Sequence, residues 1–407
     1  MGGAFVQGFA LQWLNQVSGR AEQSPNGATA DWEKVYRHRP LLTADSVFGR
    51  RIPMYREWLT HRTYDAYWNR LRFTAKDFAA IRIPTLTTTG WFDGDQPGAM
   101  FYWRGLMSSA PQRDQHFLIA GPWRHTETFR GGSVKVGDSE FSAESVIDMK
   151  AVHLAFFDWC LKKDSARFDA PQARFYVTGA NVWRTAITYP PPNAAPRTLY
   201  LTSGGKANTS SGDGKLAWES SDSPPDRFVF DPKNPVPEEE ESWGLDRRSL
   251  QKRSDVLVYT SDVLVEPLEV IGSVVVNLQA ASDARDTDFT AALSDVLPDG
   301  RALSLGPIVG IKRARYRNGF TSEQLLTPGK VENFRIELFD IAHSFEPGHR
   351  IRLAISSSAA PLYNPNQNTG NPIATDTVWK VAHQTIYHDR AHASSLLLPI
   401  VVRKQTP

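Results

Sequence analysis

Two residues in the first third of the chain have the types and the setting for acid–base chemistry. Asp93 lies in Gly90-Trp91-Phe92-Asp93-Gly94-Asp95, and His125 lies in Gly121-Pro122-Trp123-Arg124-His125. A hydrolytic base is an imidazole held in one tautomer by a carboxylate behind it. Each of the two follows a predicted strand, and they stand 32 positions apart (125 minus 93), which suits a strand–helix–strand passage. Taken as an isolated pair, they read more readily as a turn-capping aspartate and a surface-loop histidine. A nucleophile would be expected in a G-x-S-x-G turn ahead of the acid, and that pattern occurs nowhere in the sequence. Ser108, Ser109 and Ser133 lie nearest the motifs, but none falls in a strand–turn–helix elbow. Trp91 and Phe92, beside the acid, either line an acyl pocket or pack the loop; Trp123 reads as packing.

The elements that would position these residues follow from periodicity. Residues 4 to 18 predict an amphipathic helix with Phe5, Phe9, Leu11 and Trp13 among its apolar positions. Helical spacing recurs in Asp31–Arg37 and Tyr55–His61, with no strand alternation between 28 and 75. The run from Ile81 to Thr89 and the run His116–Ala120 predict strands, with helices at Gly98–Met107 and at Ser142–Lys163. Alternating apolar strands and helices imply a parallel α/β sheet, whose chemistry sits at the carboxyl ends of the strands. From about Arg174 the texture is all-β, with Ala173–Val177, Arg197–Leu201, Arg227–Phe230, Val256–Thr260, Glu269–Leu278, Asp288–Val296 and Ile351–Ser356 as strands. Pro190-Pro191-Pro192 marks a linker, and the strand spacing suggests a β-sandwich or jelly roll.

At 407 residues, two or three domains are expected. With 46 basic and 44 acidic residues and no basic block, nothing argues for nucleic acid. No apolar run approaches a membrane span, and no signal-peptide pattern opens the chain, so the compartment stays open. The single cysteine, Cys160, lies in an apolar run and reads as a buried core thiol without an intrachain disulfide partner. Glu238-Glu239-Glu240-Glu241 reads as a solvated loop. Asp283, Asp286 and Asp288 are an acidic cluster without EF-hand spacing, and no P-loop, dinucleotide fingerprint or zinc spacing is present. No metal and no organic cofactor is expected.

Taken in order, the motifs resemble the CocE/NonD hydrolases. Trp58, His61 and Tyr64-Asp65-Ala66-Tyr67-Trp68 resemble the stretch leading out of that family's helical cap. Ile83 through Asp93 and Leu118 through His125 resemble its acid and base strands. Asp255–Thr260, Glu269–Gly272, Asp286–Thr290, Asp295-Val296 with Pro298–Arg301, and Pro347–Arg350 resemble its C-terminal jelly roll. The resemblance implies a helical cap over 1–75, the C-terminal part of an α/β-hydrolase sheet over 76–187 and a jelly-roll β-sandwich over 188–407. It implies a serine hydrolase acting on a small-molecule ester or an amide or peptide, aminoacyl and X-prolyl substrates included, with Asp93 as triad acid and His125 as base. Asp95 then either faces a substrate ammonium, as acidic residues do in the α-amino acid ester hydrolases, or is an exposed loop residue; the next position, acidic in that subgroup, is Gln96 here. Tyr64, Tyr67 and Trp68 are expected to fix the cap to the sheet. Where the family carries its nucleophile elbow and oxyanion donors, ahead of the cap, this sequence has no counterpart, since Met1–Phe5 resembles the entry into the cap. A non-catalytic binding protein built on the cap and jelly roll is the alternative reading, and a homo-oligomer is left open.

Overall fold

The computed structural model describes residues 1–18, 30–162, 167–239 and 243–402. The chain opens with helices α1 (Gln7–Val17), α2 (Trp32–Arg37) and α3 (Pro53–Thr60). Asp31 caps α2 by accepting from the Lys34 N–H, and α3 begins with Pro53, whose missing N–H costs nothing there. Leu11, Leu14, Val35, Leu41 and Tyr55 close a small core. Trp13 instead is 41% exposed, so the buried stripe of α1 runs through Leu11 and Leu14. Asp45 ties the cap together, accepting from Arg56 Nη2 at 2.8 Å and from the Ile52 N–H at 2.7 Å. The cap leans mainly on the later β-rich half. Gly8 N donates to Leu362 O, Leu42 N to Ala374 O and Tyr64 N to Phe320 O. Tyr64 therefore anchors the cap to the sandwich rather than to the α/β sheet, while Tyr67 stacks on His61 and Trp68 Nε1 donates to His61 O.

The α/β portion runs β1 (Thr85–Gly90), α4 (Gln96–Ser109), β2 (His116–Gly121), α5 (Met149–Leu161), β3 (Ala173–Val177) and β4 (Val182–Ala186). The strands lie side by side in chain order; β1 to β3 are parallel and β4 returns antiparallel. The texture from Arg174 is all-β as expected; its first two strands, β3 and β4, complete this sheet, and the sandwich follows them. Helix α5 starts later than expected, because Asp148 caps it by accepting from Ala151 N; Lys163 lies outside the described residues. Ile83 precedes β1 and is 69% exposed. Cys160 is half-buried rather than buried, since it sits at the edge of the cluster formed by Phe117, Phe156 and Phe168.

Eleven further strands form one sheet folded on itself. They are β5 (Ala194–Thr202), β6 (Lys215–Ala217), β7 (Asp226–Phe230), β8 (Leu257–Thr260), β9 (Leu268–Ser282), β10 (Asp288–Val296), β11 (Ala302–Arg313), β12 (Glu332–Phe345), β13 (Arg350–Ser356), β14 (Ala382–Tyr387) and β15 (Ser395–Val401). Strand β9 is the corner piece. It pairs with β12 along one edge and with β15 and then β14 along the other, and its register shifts between Ser273 and Val275, as a bulge requires. Leu199, Tyr259, Val276, Leu293, Phe334 and Leu353 are among the residues filling the space between the faces. Of the glutamate run, Glu238 is buried and paired with Arg247, Glu239 is exposed, and Glu240 and Glu241 lie outside the described residues. Asp286 and Asp288 are likewise buried, each matched to an arginine, Arg315 and Arg313, at 2.8 Å.

Candidate active site

The loops after β1 and β2 meet because both strands end in glycine. A Cβ on Gly90 would lie 2.0 Å from the carbonyl oxygen of Trp123, and one on Gly121 would lie 2.1 Å from the Trp123 indole. With neither present, the ladder continues into the loops: Trp91 N donates to Gly121 O and Phe92 N to Trp123 O, at 2.9 and 3.1 Å. Trp91 is buried, stacks near Tyr189 and donates through Nε1 to Tyr176 O at 2.7 Å. Phe92 is buried against Phe141, and Trp123 donates through Nε1 to Ser145 O. Burying each such ring contributes about 2–3 kcal/mol. Of the two roles open to Trp91 and Phe92 from sequence, these positions are those of packing residues that fix the loop.

On that base, His125 Nδ1 lies 3.2 Å from Asp93 Oδ1. The carboxylate is 7% exposed and the imidazole 54%, so the acid is fixed and the far side of the ring is open to solvent. The Asp95 N–H also donates to Asp93 Oδ1, at 2.9 Å. Burial holds the Asp93 carboxyl above its usual range, against the pull of that N–H and of His125. The base loop is braced by Arg124 N donating to Glu127 and by Thr128 Oγ1 donating to His125 O at 2.6 Å. Asp95 reaches the same nitrogen, its Oδ2 3.5 Å from His125 Nδ1, and is 69% exposed. Among the described residues, Asp93, Asp95 and His125 are the one group whose possible metal-ligand atoms converge, within 4.8 Å. The Asp93–His125 hydrogen bond accounts for that approach without an ion.

Gln96 is drawn away from the site. It is fully buried, and its Nε2 donates to Asp340 O on β12 at 2.6 Å. Arg104, one face further along α4, pairs with the Asp340 carboxylate at 2.5 Å. This clasp between α4 and the sandwich has no sequence motif, because its partners are 244 and 236 positions apart. Ser108 and Ser109 sit at the far end of α4, and Ser133 Oγ bonds Lys135 in a loop. Among the described residues, no serine is hydrogen-bonded to His125.

The chain matches two family models: the X-Pro dipeptidyl-peptidase S15 family over residues 1–127 and the X-Pro dipeptidyl-peptidase C-terminal non-catalytic domain over 166–397. It is 33% identical to cocaine esterase of Rhodococcus sp. (strain MB1 Bresler), across 98% of this chain and 67% of that protein. A putative serine esterase of Mycobacterium bovis is 29% identical over 80% of this chain, which spans about half (51%) of that relative. Among solved structures, an aminopeptidase from a marine sediment Thaumarchaeota archaeon superposes with a TM-score of 0.85 at 27% identity, covering 98% of this chain and 69% of that one. An α-amino acid ester hydrolase follows at 0.84 and 25%, with the same coverage. With the fold, the order of its parts and this degree of identity in agreement, the chain belongs to the CocE/NonD family of serine hydrolases.

Proposed function

We propose that Asp93 and His125 are the acid and base of a serine hydrolase cleaving esters or amides, aminoacyl and X-prolyl substrates among them. The nucleophile, in this proposal, is supplied by polypeptide outside these 407 residues. The observation that carries it is the Asp93–His125 contact at 3.2 Å, with the acid buried and the ring open. Asp93 would accept from Nδ1–H and so leave the Nε2 lone pair facing outward. Nε2 would take the proton of an approaching serine hydroxyl as its oxygen attacks the acyl carbon, then return it to the leaving alcohol or amine. Water would repeat the cycle on the acyl-enzyme. Asp95 would face the ammonium of an aminoacyl substrate, a charge-assisted pairing. The chain divides accordingly into a cap (1–75), the acid–base part of the sheet (76–187) and the sandwich (188–407).

The absence of a G-x-S-x-G pattern favours a second reading, a non-catalytic binding protein. A fluorophosphonate probe separates the two. The 407-residue chain is expected to take up no label. Fused behind the segment that precedes the cap in the Rhodococcus relative, it is expected to label on one serine and to hydrolyse p-nitrophenyl esters in a His125-dependent way. A fusion that folds but neither labels nor hydrolyses would favour the binding protein. His125-dependent labelling of the unfused chain would instead require a nucleophile among the residues already present.

A further inference from the structure

A cavity of about 630 Å³ opens between the cap and the sandwich, and neither Asp93 nor His125 lines it. Its size falls among those of small-molecule sites, roughly 300–1,000 Å³. The wall is largely aromatic, with Phe5, Trp58, Tyr64, Trp68 and Phe320 around it.

The charges on that wall nearly cancel. Arg313 and Arg315 are matched by Asp288 and Asp286 behind them, each at 2.8 Å. Arg62 pairs with Glu323 at 3.3 Å, Arg335 lies 4.0 Å from Glu337, and His61 is bonded to Asp65 at 2.7 Å. Lys312 remains. Among the described residues it is the lining side-chain cation with no carboxylate in ion-pair range, and its Nζ lies 4.7 Å from the centre of the Phe320 ring. Burial, with Arg335 adding to it, lowers the pKa of its ammonium and outweighs the pull of Glu337, which lies beyond ion-pair range. A half-buried cation facing an aromatic cavity is stabilised by an anion that brings its own apolar body.

We infer that this cavity is a binding site for an aromatic monocarboxylate, its ring among the aromatic side chains and its carboxylate on Lys312. The Met1 ammonium also lies on this wall, but burial lowers its pKa to about 6 and leaves it largely neutral at pH 7. The one excess charge that remains argues for a monoanion, since a phosphate dianion would leave one charge uncompensated in a mostly apolar setting. The inference is independent of the hydrolytic proposal, because binding is read without turnover.

The test is titration of the chain with 2-naphthoate and with its neutral counterpart 2-naphthalenemethanol, by calorimetry and by quenching of tryptophan fluorescence from Trp58 and Trp68. Saturable one-to-one binding of the carboxylate is expected, with the alcohol about tenfold weaker. Lys312→Met should weaken naphthoate about tenfold and leave the alcohol unchanged, while Lys312→Arg should retain most of the affinity. The His125→Ala variant should bind as wild type does. Equal binding of acid and alcohol to the wild-type chain, or no saturable binding of either, overturns the site without recourse to any variant. Unchanged naphthoate affinity in a folded Lys312→Met protein also overturns it.

Discussion

Two of the molecule's aspartate–histidine pairs are built from the same groups to opposite ends. Asp226 and His388, within the sandwich, meet at 2.9 Å and are both fully buried. Asp226 also accepts from Ser203 Oγ, Tyr259 Oη and the Ala207 N–H, and His388 Nδ1 lies 2.8 Å from Ser223 Oγ. Every polar atom of that pair is occupied. In the α/β portion, Asp93 is also sequestered, yet the ring it faces is half open, touched by the exposed Asp95 and edge-on by Phe129, with its backbone oxygen held by Thr128. The two acids respond in opposite senses. Burial pushes both up; for Asp93 it prevails, whereas for Asp226 the hydrogen bonds from His388, Ala207, Ser203 and Tyr259 outweigh it and hold the carboxyl below its ordinary range. An Asp–His contact thus is closed on both sides or left open for a further partner according to whether the second ring nitrogen has been spoken for.

The widest separation between the pairs should appear in activity. In the hydrolytically competent fusion, His125→Ala is expected to lower kcat/KM by about 10⁴-fold or more and to leave the melting temperature within a few degrees. His388→Ala should do the reverse, and a His125→Ala protein that melts as early as the His388→Ala one would erase the distinction. Next in size, Asp226→Ala should cost about 3–5 kcal/mol by urea denaturation, because four donors lose one buried acceptor. Asp93→Asn should cost less than about 1 kcal/mol by the same measurement.

A pH series sharpens the contrast through its sign. For Asp226 the folded pKa lies below the unfolded value of about 3.9. The unfolded chain then binds more protons in that window, so the pair's contribution is complete above the unfolded value and is lost as pH falls through the folded one. For Asp93 the folded pKa is the higher, the folded chain binds more protons, and stability rises as pH falls through that window. Relative to wild type, Asp226→Asn should therefore lose its handicap in acid, while Asp93→Asn should acquire one. Slopes of equal sign would mean that the two environments are alike. The smallest effect belongs to Asp95. Being 69% exposed, it should alter KM for aminoacyl esters by only about threefold when changed to Asn, with acetyl esters unaffected.

Asp93 and His125 could be read from sequence because strand, glycine and loop are local features. The parallel register then brought the two strand ends together, Gly90 beside Gly121. The second pair was invisible: Asp226, at the start of β7, and His388, just beyond the antiparallel β14, are 162 positions apart, and neither carries a motif. Polar residues misled for a related reason. Asp286, Asp288 and Glu238 look solvated or ligand-seeking when alone, and each is a core residue because an arginine from another segment, 9 to 29 positions on, reaches it. Ala173–Val177 reads as a strand from its residues, but those do not announce its neighbours, and the parallel ladder to β2 assigns it to the α/β sheet. Lys312 stood out in no pattern, since its lack of a counter-ion is a property of the surroundings.

The clasp of Gln96 and Arg104 on Asp340 bears on inheritance. Helix α4 starts three residues after the acid, so the position of Asp93 is set partly by a strand nearly 250 positions further along. An exchange of gene segments near residue 187 would transfer an intact sandwich, but it would leave the acid loop without its outer fastening. A recipient would need a carboxylate where Asp340 stands to hold Arg104, since Gln96 asks only for the main-chain oxygen there. The two halves are separable as architecture and joined as a unit of descent.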